Sequence, residues 1–305
     1  MMTMEYHNAV LLKETVDGLA IKPNGVYVDV TFGGGGHSKE MLSRLGPGGK
    51  LFAFDQDKDA LANTIEDERF VLINENFRFV KRFLRFYGVK AVDGILADFG
   101  VSSHQFDVAE RGFSTRFESD LDMRMNQDSK LSALDVVNNY TEEQLRAVLS
   151  QYGELRQAPA MAKVIVAERA NGEIKTSEQL KTVLKPILQH KKENKVLAQI
   201  YQAIRIEVNQ EIEALKELLL QTPELLKKGG RLSFISYHSL EDRLVKRYMR
   251  DMARGDAVPA GVPVLDSALN RRMRLLGKAV RASAEEVAAN PRARSAIMRV
   301  AEKIN

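Results

Sequence analysis

The most informative short stretch of the sequence is a run of four glycines followed by a histidine. Residues 29–38 read DVTFGGGGHS and begin at the end of Val26–Val30, which has the composition of a β-strand. Glycine lets the backbone turn tightly and approach a ligand with no Cβ in the way. Asp55 ends the next predicted strand, where a carboxylate can accept both hydroxyls of a ribose. The stretch therefore predicts a binding site for a cofactor that contains adenosine.

The spacing of the glycines separates two cofactors that such a loop could bind. A nicotinamide site requires G-x-G-x-x-G, and counted from Gly33 the last glycine of that pattern falls at Ser38. The arrangement is closer to the acid-x-G-x-G-x-G loop of S-adenosylmethionine enzymes, with Asp29 as the acid and Thr31 in place of the first glycine. The sequence favours S-adenosylmethionine as the cofactor, and a nucleotide-dependent oxidoreductase is the alternative.

The composition excludes several kinds of chemistry. None of the 305 residues is cysteine, so a thiolate nucleophile, a Cys-ligated zinc and a protein-held iron–sulfur cluster are all excluded. We predict no metal site. No apolar run approaches the roughly 18 residues of a membrane helix, and Met1–Leu12 lacks the basic flank of a signal peptide. We therefore expect a cytoplasmic protein with no membrane partner.

The elements that must position the loop alternate between strand and helix. Four predicted strands are separated by helical stretches, at Val26–Val30, Leu51–Asp55, Phe70–Ile73 and Gly94–Asp98. Strands joined through helices imply right-handed crossovers and a parallel sheet. The fold class predicted is α/β.

A long helical stretch interrupts this alternation. From about Phe106 to Gln202 the pattern is helical. Beyond it the alternation resumes with two predicted helices and a strand, at Arg205–Gln221, Thr222–Lys228 and Arg231–Tyr237. The simplest architecture is one discontinuous α/β domain, residues 1–105 and 204–305, interrupted by a helical insertion domain of residues 106–203.

Seven longer motifs resemble those of one enzyme family. They read VDVTFGGGGHS, ADFGVSSHQFD, ERGFS, LDMRM, QAIRIEVNQE, GGRLSFISYHSLEDRLVKR and NPRARSAIMRVAEK. Together they resemble the RsmH/MraW family of ribosomal RNA methyltransferases over essentially the whole chain. The resemblance implies a class I (Rossmann-like) S-adenosylmethionine methyltransferase sheet interrupted by a helical insertion that recognises the substrate. It also implies methylation of N4 of one cytosine, position 1402, in 16S ribosomal RNA within the small ribosomal subunit.

The resemblance further implies which residues contact S-adenosylmethionine. Matching motifs assign this role to Gly35, Gly36, His37, Asp55, Phe77, Asp98 and Gln105. Asp55 would hold the ribose, and Phe77 would pack near the adenine. The residues alone leave two alternatives open, since His37 could cap the start of a helix and Phe77 could belong to the core.

The group that accepts the proton of the substrate amine is less defined. The N4 lone pair of cytosine is delocalised into the ring, so an acceptor pulling on an N4 hydrogen would assist transfer. Many amino-methyltransferases carry an Asp/Asn/Ser-Pro-Pro-aromatic turn after the fourth strand, but residues 98–103 read DFGVSS. The catalytic candidates are Asp98, Ser102 and His238, with Ser103 and the backbone carbonyls of Phe99 and Gly100 as further acceptors. The target base could stack on Phe99 or Tyr237, either of which could equally be structural.

Basic residues are clustered in two parts of the chain. The net charge is only +4. Residues 265–305 carry Arg271, Arg272, Arg274, Lys278, Arg281, Arg292, Arg294, Arg299 and Lys303, against Asp266, Glu285, Glu286 and Glu302. The second cluster is Lys181, Lys185, His190, Lys191, Lys192 and Lys195. Several clusters favour a polyanionic partner, so we expect both segments to grip RNA. The alternatives are a solvated surface and an assembly factor that binds RNA without catalysis. The oligomeric state stays open, with a homodimer among the options.

Overall fold

Strands and helices alternate in the parts of the chain that carry the glycine loop. The computed structural model describes residues 9–188, 192–256 and 269–305. Its strands are β1 Val26–Asp29, β2 Lys50–Phe54, β3 Phe70–Ile73, β4 Val92–Asp98, β5 Leu226–Ser236, β6 Met273–Leu275, β7 Val280–Arg281 and β8 Ile297–Lys303. Its helices are α1 Leu12–Leu19, α2 Gly36–Arg44, α3 Val80–Phe86, α4 Ser103–Asp107, α5 Ala133–Asn139, α6 Glu142–Gln151, α7 Ala158–Arg169, α8 Ser177–Leu184, α9 Glu193–Asn209, α10 Glu211–Leu225, α11 Ser239–Arg254 and α12 Ala284–Ala289.

The strands form one sheet in the order β3-β2-β1-β4-β5-β8-β6, with β7 also paired to β8. The strands from β3 to β5 are parallel, and β8 runs antiparallel to β5. This topology confirms the Rossmann-like α/β sheet that the sequence predicts. The strand order reverses at β1 and β4, and open α/β sheets bind ligands in the crevice at the carboxyl ends of such a pair.

Both faces of the sheet are covered, because successive residues of each strand point to opposite sides. Tyr27 and Leu51 pack in one apolar cluster with residues of α1 and α2. Their chain neighbours Val28 and Phe52 pack in another cluster with residues of α3, α10 and α11. A sheet buried on both faces is rigid, so the loops that follow its strands have well-defined positions.

The chain divides into two compact units, with the divisions after Gly100 and after Glu211. The sheet and the helices just named belong to one unit. The other unit is helical, and its core includes Met161, Leu180 and Ile200. The role of this helical unit in recognising the substrate stays a prediction. Among the described residues, no helix combines the length and the apolar character needed to cross a bilayer.

The prediction of one helix over Arg205–Gln221 and a second over Thr222–Lys228 is wrong. The chain breaks between α9 and α10 at Gln210, whose φ of 50° is left-handed. Asn209 fixes this break, because its side chain donates to Met123 O and accepts from the Met125 N–H, both at 2.7 Å. The apolar spacing runs across the break without a Gly or Pro to mark it. Beyond it, α10 continues through Pro223 and leads directly into β5.

Candidate active site

The glycine run forms a tight turn between β1 and α2. Gly33 and Gly35 have φ of 52° and 77°, in the left-handed region where a side chain is strained. A Cβ on Gly36 would lie 2.9 Å from the Cβ of Ala9, which is too close for a real contact. A Cβ on Gly34 would meet nothing within 4 Å. The turn thus requires glycine where it packs on the protein, and it leaves open space at Gly34 that a ligand could fill.

Asp55, the acid after β2, is bonded to this turn. One carboxylate oxygen accepts the Gly33 N–H at 2.8 Å, and the other accepts the Asp57 N–H at 2.9 Å. The Asn63 side chain donates to Gly33 O at 3.1 Å, so the turn is held from both sides. Burial raises the pKa of Asp55 to about 6, against the opposing effect of these N–H groups. Each carboxylate oxygen retains a second lone pair, which is what the ribose interaction predicted from the sequence requires.

Asp29 is fully buried beneath the turn and is hydrogen-bonded to it. Its carboxylate accepts the Ser38 hydroxyl at 2.7 Å and the Thr31 N–H at 3.1 Å. Burial raises the pKa of Asp29, while His37 and the Ser38 hydrogen bond oppose this shift. These bonds connect the end of β1 to the first turn of α2. The acid that the sequence pattern singled out therefore stabilises the loop from inside.

His37 is also buried, with only 5% of its surface exposed. Its Nε2 lies 3.0 Å from Val10 O, and its Nδ1 lies 3.8 Å from Asp98 Oδ2. Burial lowers the pKa of His37, so the neutral imidazole is favoured. A neutral ring that donates from Nε2 to Val10 leaves Nδ1 as an acceptor facing Asp98. The imidazole is thus held between Val10 and the end of β4. The backbone N–H of His37 is in the first turn of α2, where N–H groups have no carbonyl partner within the helix.

Asp98 closes the opposite side of the crevice at the end of β4. Its carboxylate accepts the Tyr237 hydroxyl at 2.7 Å, and its backbone N–H donates to the Thr31 hydroxyl at 2.6 Å. Burial raises the pKa of Asp98 to about 7, which the Tyr237 hydrogen bond opposes and the charge of Glu241 reinforces. About a fifth of the side chain is exposed. Asp98 is therefore a carboxyl group that can exchange a proton near neutral pH and that a ligand can reach.

Phe77 lies just beyond β3, in the turn Phe77–Phe79. Its ring centroid is 6.0 Å from that of Phe99, which in turn packs 5.5 Å from Phe234. Phe77 is half-buried at the edge of this aromatic cluster. The same ring therefore contributes to the core, as one of the alternatives proposes, and it also presents a partly exposed surface. Its packing against adenine stays a prediction.

His238 caps a helix. Its Nδ1 accepts the Glu241 N–H at the start of α11, and its Nε2 lies 3.1 Å from Glu241 Oε1. The other oxygen of Glu241 accepts the Tyr237 N–H at 2.9 Å. Nδ1 of His238 is therefore occupied by the helix start, while the buried Nε2 is close to Glu241 but forms no hydrogen bond with any described residue. This geometry favours a structural role over that of proton acceptor.

Two further candidates belong to the helical unit. Ser102 and Gln105 form a reciprocal capping box at the start of α4, in which the Ser102 hydroxyl accepts the Gln105 N–H and the Gln105 side chain accepts the Ser102 N–H. Gln105 is buried. The Ser102 hydroxyl thus satisfies a helix N-terminus, a use that the sequence reasoning did not foresee. The cofactor contact of Gln105 stays a prediction.

Part of the predicted RNA-binding basic cluster holds the sheet together. Arg299 pairs with Asp242 at 2.7 Å, and Arg274 pairs with Glu302 at 2.7 Å. Lys303 donates to two backbone carbonyls at the end of α10 and the start of β5. Arg299 and Lys303 therefore have partners within the protein, and the expectation that the C-terminal segment grips RNA stays a prediction for its other cations. His190 and Lys191 of the second cluster, and Asp266, lie outside the described residues.

The sequence reasoning missed the roles of Thr31 and Tyr237. Thr31 counted as a departure from the glycine pattern, but its hydroxyl joins the turn to β4. Tyr237 was considered as a surface for base stacking, and its ring lies 3.5 Å from the position a Gly100 Cβ would take. The bonds of Thr31 and Tyr237 to Asp98 join residues far apart in the chain, so no local spacing could reveal them. The available signal was that both residues closely follow a strand.

A family model and several known proteins match this chain over nearly its whole length, and all of them belong to one kind of methyltransferase. The family model described as "MraW methylase family" matches residues 4–304. A protein of Christiangramia forsetii named Ribosomal RNA small subunit methyltransferase H is 65% identical over 306 residues, 100% of both chains. The protein of the same name from Flavobacterium johnsoniae is 63% identical and covers 99% of each chain. The Bacteroides fragilis protein of that name is 50% identical over 98% of this chain and 97% of its own.

Proposed function

The chain belongs to the MraW methylase family, and from this premise we propose that it transfers a methyl group from S-adenosylmethionine to N4 of one cytosine in 16S ribosomal RNA. One observation carries the proposal. The glycine turn, Asp55 and Asp98 meet at the switch point of the sheet. They do so in a chain that is 65% identical, end to end, to a relative named as a small-subunit ribosomal RNA methyltransferase.

The residues present fit S-adenosylmethionine. The turn has open space at Gly34, and half-buried carboxyl groups stand on both sides of it, Asp55 after β2 and Asp98 after β4. When bound, the cofactor supplies a methyl group on a positively charged sulfonium sulfur. Asp55 would hold the ribose hydroxyls, and the ionised form of Asp98 would favour the sulfonium charge. Gly35, Gly36 and His37 would then contact the cofactor through their backbone.

Asp98 is the proton acceptor that this geometry favours. Its Oδ1 is occupied by the Tyr237 hydroxyl, while among the residues that the structure describes Oδ2 has only the imidazole of His37, at 3.8 Å. With S-adenosylmethionine bound, the N4 lone pair would take the methyl group, and the cofactor's sulfur would keep the electron pair of the carbon–sulfur bond. The N4 proton passes to Asp98 Oδ2. A pKa of about 7 suits a base that works near neutral pH.

The residues of this chain suit methylation of the exocyclic amine of cytosine and not of a ring carbon. Methylation at C5 of cytosine normally requires a thiolate that adds to C6. The chain has no cysteine. Transfer to the exocyclic amine requires alignment and an acceptor, which positioned side chains supply. The expected product is N4-methylcytidine, formed with no covalent enzyme–RNA adduct.

The substrate is expected to be a folded small ribosomal subunit in the cytoplasm. A chain that has a helical unit in addition to the catalytic unit has more surface than methyl transfer alone requires. We assign the helical unit to substrate recognition, together with the cations of the C-terminal segment that are not committed to the sheet. Such contacts with phosphates make binding depend on salt.

Nucleoside analysis of labelled subunits tests the proposal. Small subunits that lack the modification are incubated with the protein and labelled S-adenosylmethionine, then digested and resolved against authentic standards. We expect label in N4-methylcytidine alone, and none when the subunits are already methylated at this site. Label in 5-methylcytidine, or an adduct that survives denaturation, would overturn the mechanism. No incorporation at all would overturn the function.

A further inference from the structure

Helix α11 carries its positive charge on one side. Five cations, Arg243, Lys246, Arg247, Arg250 and Arg254, are exposed on this helix of 16 residues. At 3.6 residues per turn, their positions fall within an arc of about 100°. We call these five residues the α11 stripe. Such an alignment gives a single continuous row of charge along the helix.

The acids of α11 do not balance this row. Glu241 is buried at the start of the helix and bonds to the Tyr237 N–H, and Asp242 pairs with Arg299 of β8. Asp251 is the remaining acid, at the edge of the stripe, 3.6 Å from Arg247 and 3.5 Å from Arg250. The stripe therefore retains an excess of positive charge. By contrast, the charged residues of α10 are mainly glutamates.

The opposite face of α11 is already used. Val245 and Met249 are fully buried in the cluster that packs against the sheet. A basic amphipathic helix can lie on a membrane only when its apolar face is free to enter the lipid. Here that face is part of the core, so the helix can offer a partner only its cations.

The position of α11 connects the stripe to the active site. The helix begins at Ser239, two residues after Tyr237, whose hydroxyl bonds to Asp98. With a rise of about 1.5 Å per residue, the stripe begins about 6 Å along the helix and continues for about 16 Å. It therefore leads away from the crevice, over a length that spans several phosphates of a nucleic acid strand.

We propose that the α11 stripe binds the phosphate backbone of the RNA strand that delivers the target base to Asp98. Four of its five residues are arginines, whose planar guanidinium groups bind phosphate oxygens in pairs. The inference rests on the proposed function and adds to it a contact surface outside the segments that the basic clusters of the sequence indicated. The helix contributes charge along the backbone, and the sequence of the RNA is not read there.

The test compares two double variants of the full chain. Arg250→Gln with Arg254→Gln removes two stripe charges, far from the crevice. Lys50→Gln with Lys228→Gln removes two exposed charges from the amino-terminal edge of the sheet, as a matched control. Arg250→Lys with Arg254→Lys keeps the charge. Binding to unmodified small subunits is measured as Kd between about 0.05 and 0.3 M salt, with KM, kcat and cofactor affinity in parallel.

We expect the stripe variant to raise Kd about tenfold at 0.15 M salt, and to reduce the slope of log Kd against log salt by about 1.5. KM for subunits should rise while kcat and cofactor affinity are unchanged. The control and the lysine variant should keep the wild-type slope. If the wild-type protein labels cytosine and the stripe and control variants share one slope, the stripe proposal is overturned. If the wild-type protein labels nothing, the proposed function fails, and the inference fails with it.

Discussion

The hydroxyl of Tyr237 donates to Asp98 Oδ1 at 2.7 Å, joining the residue after β5 to the last residue of β4. The bond stabilises the ionised form of Asp98, while burial and the charge of Glu241 favour the protonated form. The balance leaves the pKa of Asp98 at about 7. The tyrosine therefore lowers the pH at which the proposed base becomes active, without itself contacting the reacting atoms.

Replacing Tyr237 with Phe should shift the pH dependence of turnover. Loss of a hydrogen bond to the ionised carboxylate raises the pKa of Asp98 further, by about 1 unit or more. Because the base must be deprotonated, kcat/KM should fall about fivefold or more at pH 7 and recover toward the wild-type value near pH 9. The measurement is kcat/KM for the cofactor across this range.

Tyr248→Phe is the matched control for this shift. The Tyr248 hydroxyl bonds to Thr222 at 2.6 Å in the same unit, away from the crevice. That variant loses a comparable hydrogen bond and should keep the wild-type pH profile. A uniform loss of rate at all pH values in Tyr237→Phe would show that the tyrosine acts on structure alone.

Asp98→Asn should stabilise the protein at alkaline pH while removing activity. The pKa of Asp98 is raised to about 7 in the folded state from 3.8. Between these values the folded chain holds a proton that the unfolded chain has released, so the wild-type protein loses stability as pH rises through this window. Asparagine never ionises. We expect equal Tm values near pH 4 and a Tm about 5 °C higher for the variant at pH 8.

Calorimetry at the two pH values checks this prediction. Asp251→Asn, at an exposed position of α11, serves as the control and should leave Tm unchanged at both. If Asp98→Asn is less stable than the wild-type protein at pH 8, the ionised Asp98 does not destabilise the folded protein. The view that this carboxylate is kept for its function at a cost in stability would then be contradicted.

The sheet could be predicted from the sequence because its signals are local. Phe70–Ile73 matches its prediction residue for residue, and β1, β2 and β4 differ from theirs by one or two residues at an end, whereas β5 begins five residues earlier than predicted. The break at Gln210 could not be predicted, since the apolar spacing continues across it. It is fixed by Asn209 bonding to a segment more than 80 residues earlier. Local patterns identify elements, and contacts distant in sequence decide where they end.

The candidate site was predicted in the same uneven way. The turn and its two acids were visible as glycines and carboxylates that follow strands. The partners of those acids were not, because the Gly33 N–H, the Thr31 hydroxyl and the Tyr237 hydroxyl reach them across strands. A spacing rule can locate a functional group, but its proton affinity depends on groups that only the fold brings together.

Thr31→Val should destabilise the protein although the side chain keeps its size. The Thr31 hydroxyl accepts the backbone N–H of Asp98 at 2.6 Å. Valine leaves that N–H without an acceptor, which costs about 1–3 kcal/mol. Urea unfolding should report this loss, and Thr31→Ser, which restores the hydroxyl, should recover most of it. Equal stability of the two variants would mean that the bond contributes nothing.

Asp55→Ala should weaken cofactor binding in two ways at once. The carboxylate is the acceptor proposed for two ribose hydroxyls, and it also holds the Gly33 N–H at 2.8 Å and so the shape of the turn. We expect a loss of about 2–3 kcal/mol in the free energy of binding, for both S-adenosylmethionine and its demethylated product. Asp55→Asn keeps one oxygen acceptor and should lose less. The two ligands share the ribose and differ at sulfur, so a variant that weakened only one of them would place Asp55 at the wrong end of the cofactor. Calorimetric titration of both ligands into each variant distinguishes these outcomes, and unchanged affinity in Asp55→Ala would rule out the ribose assignment.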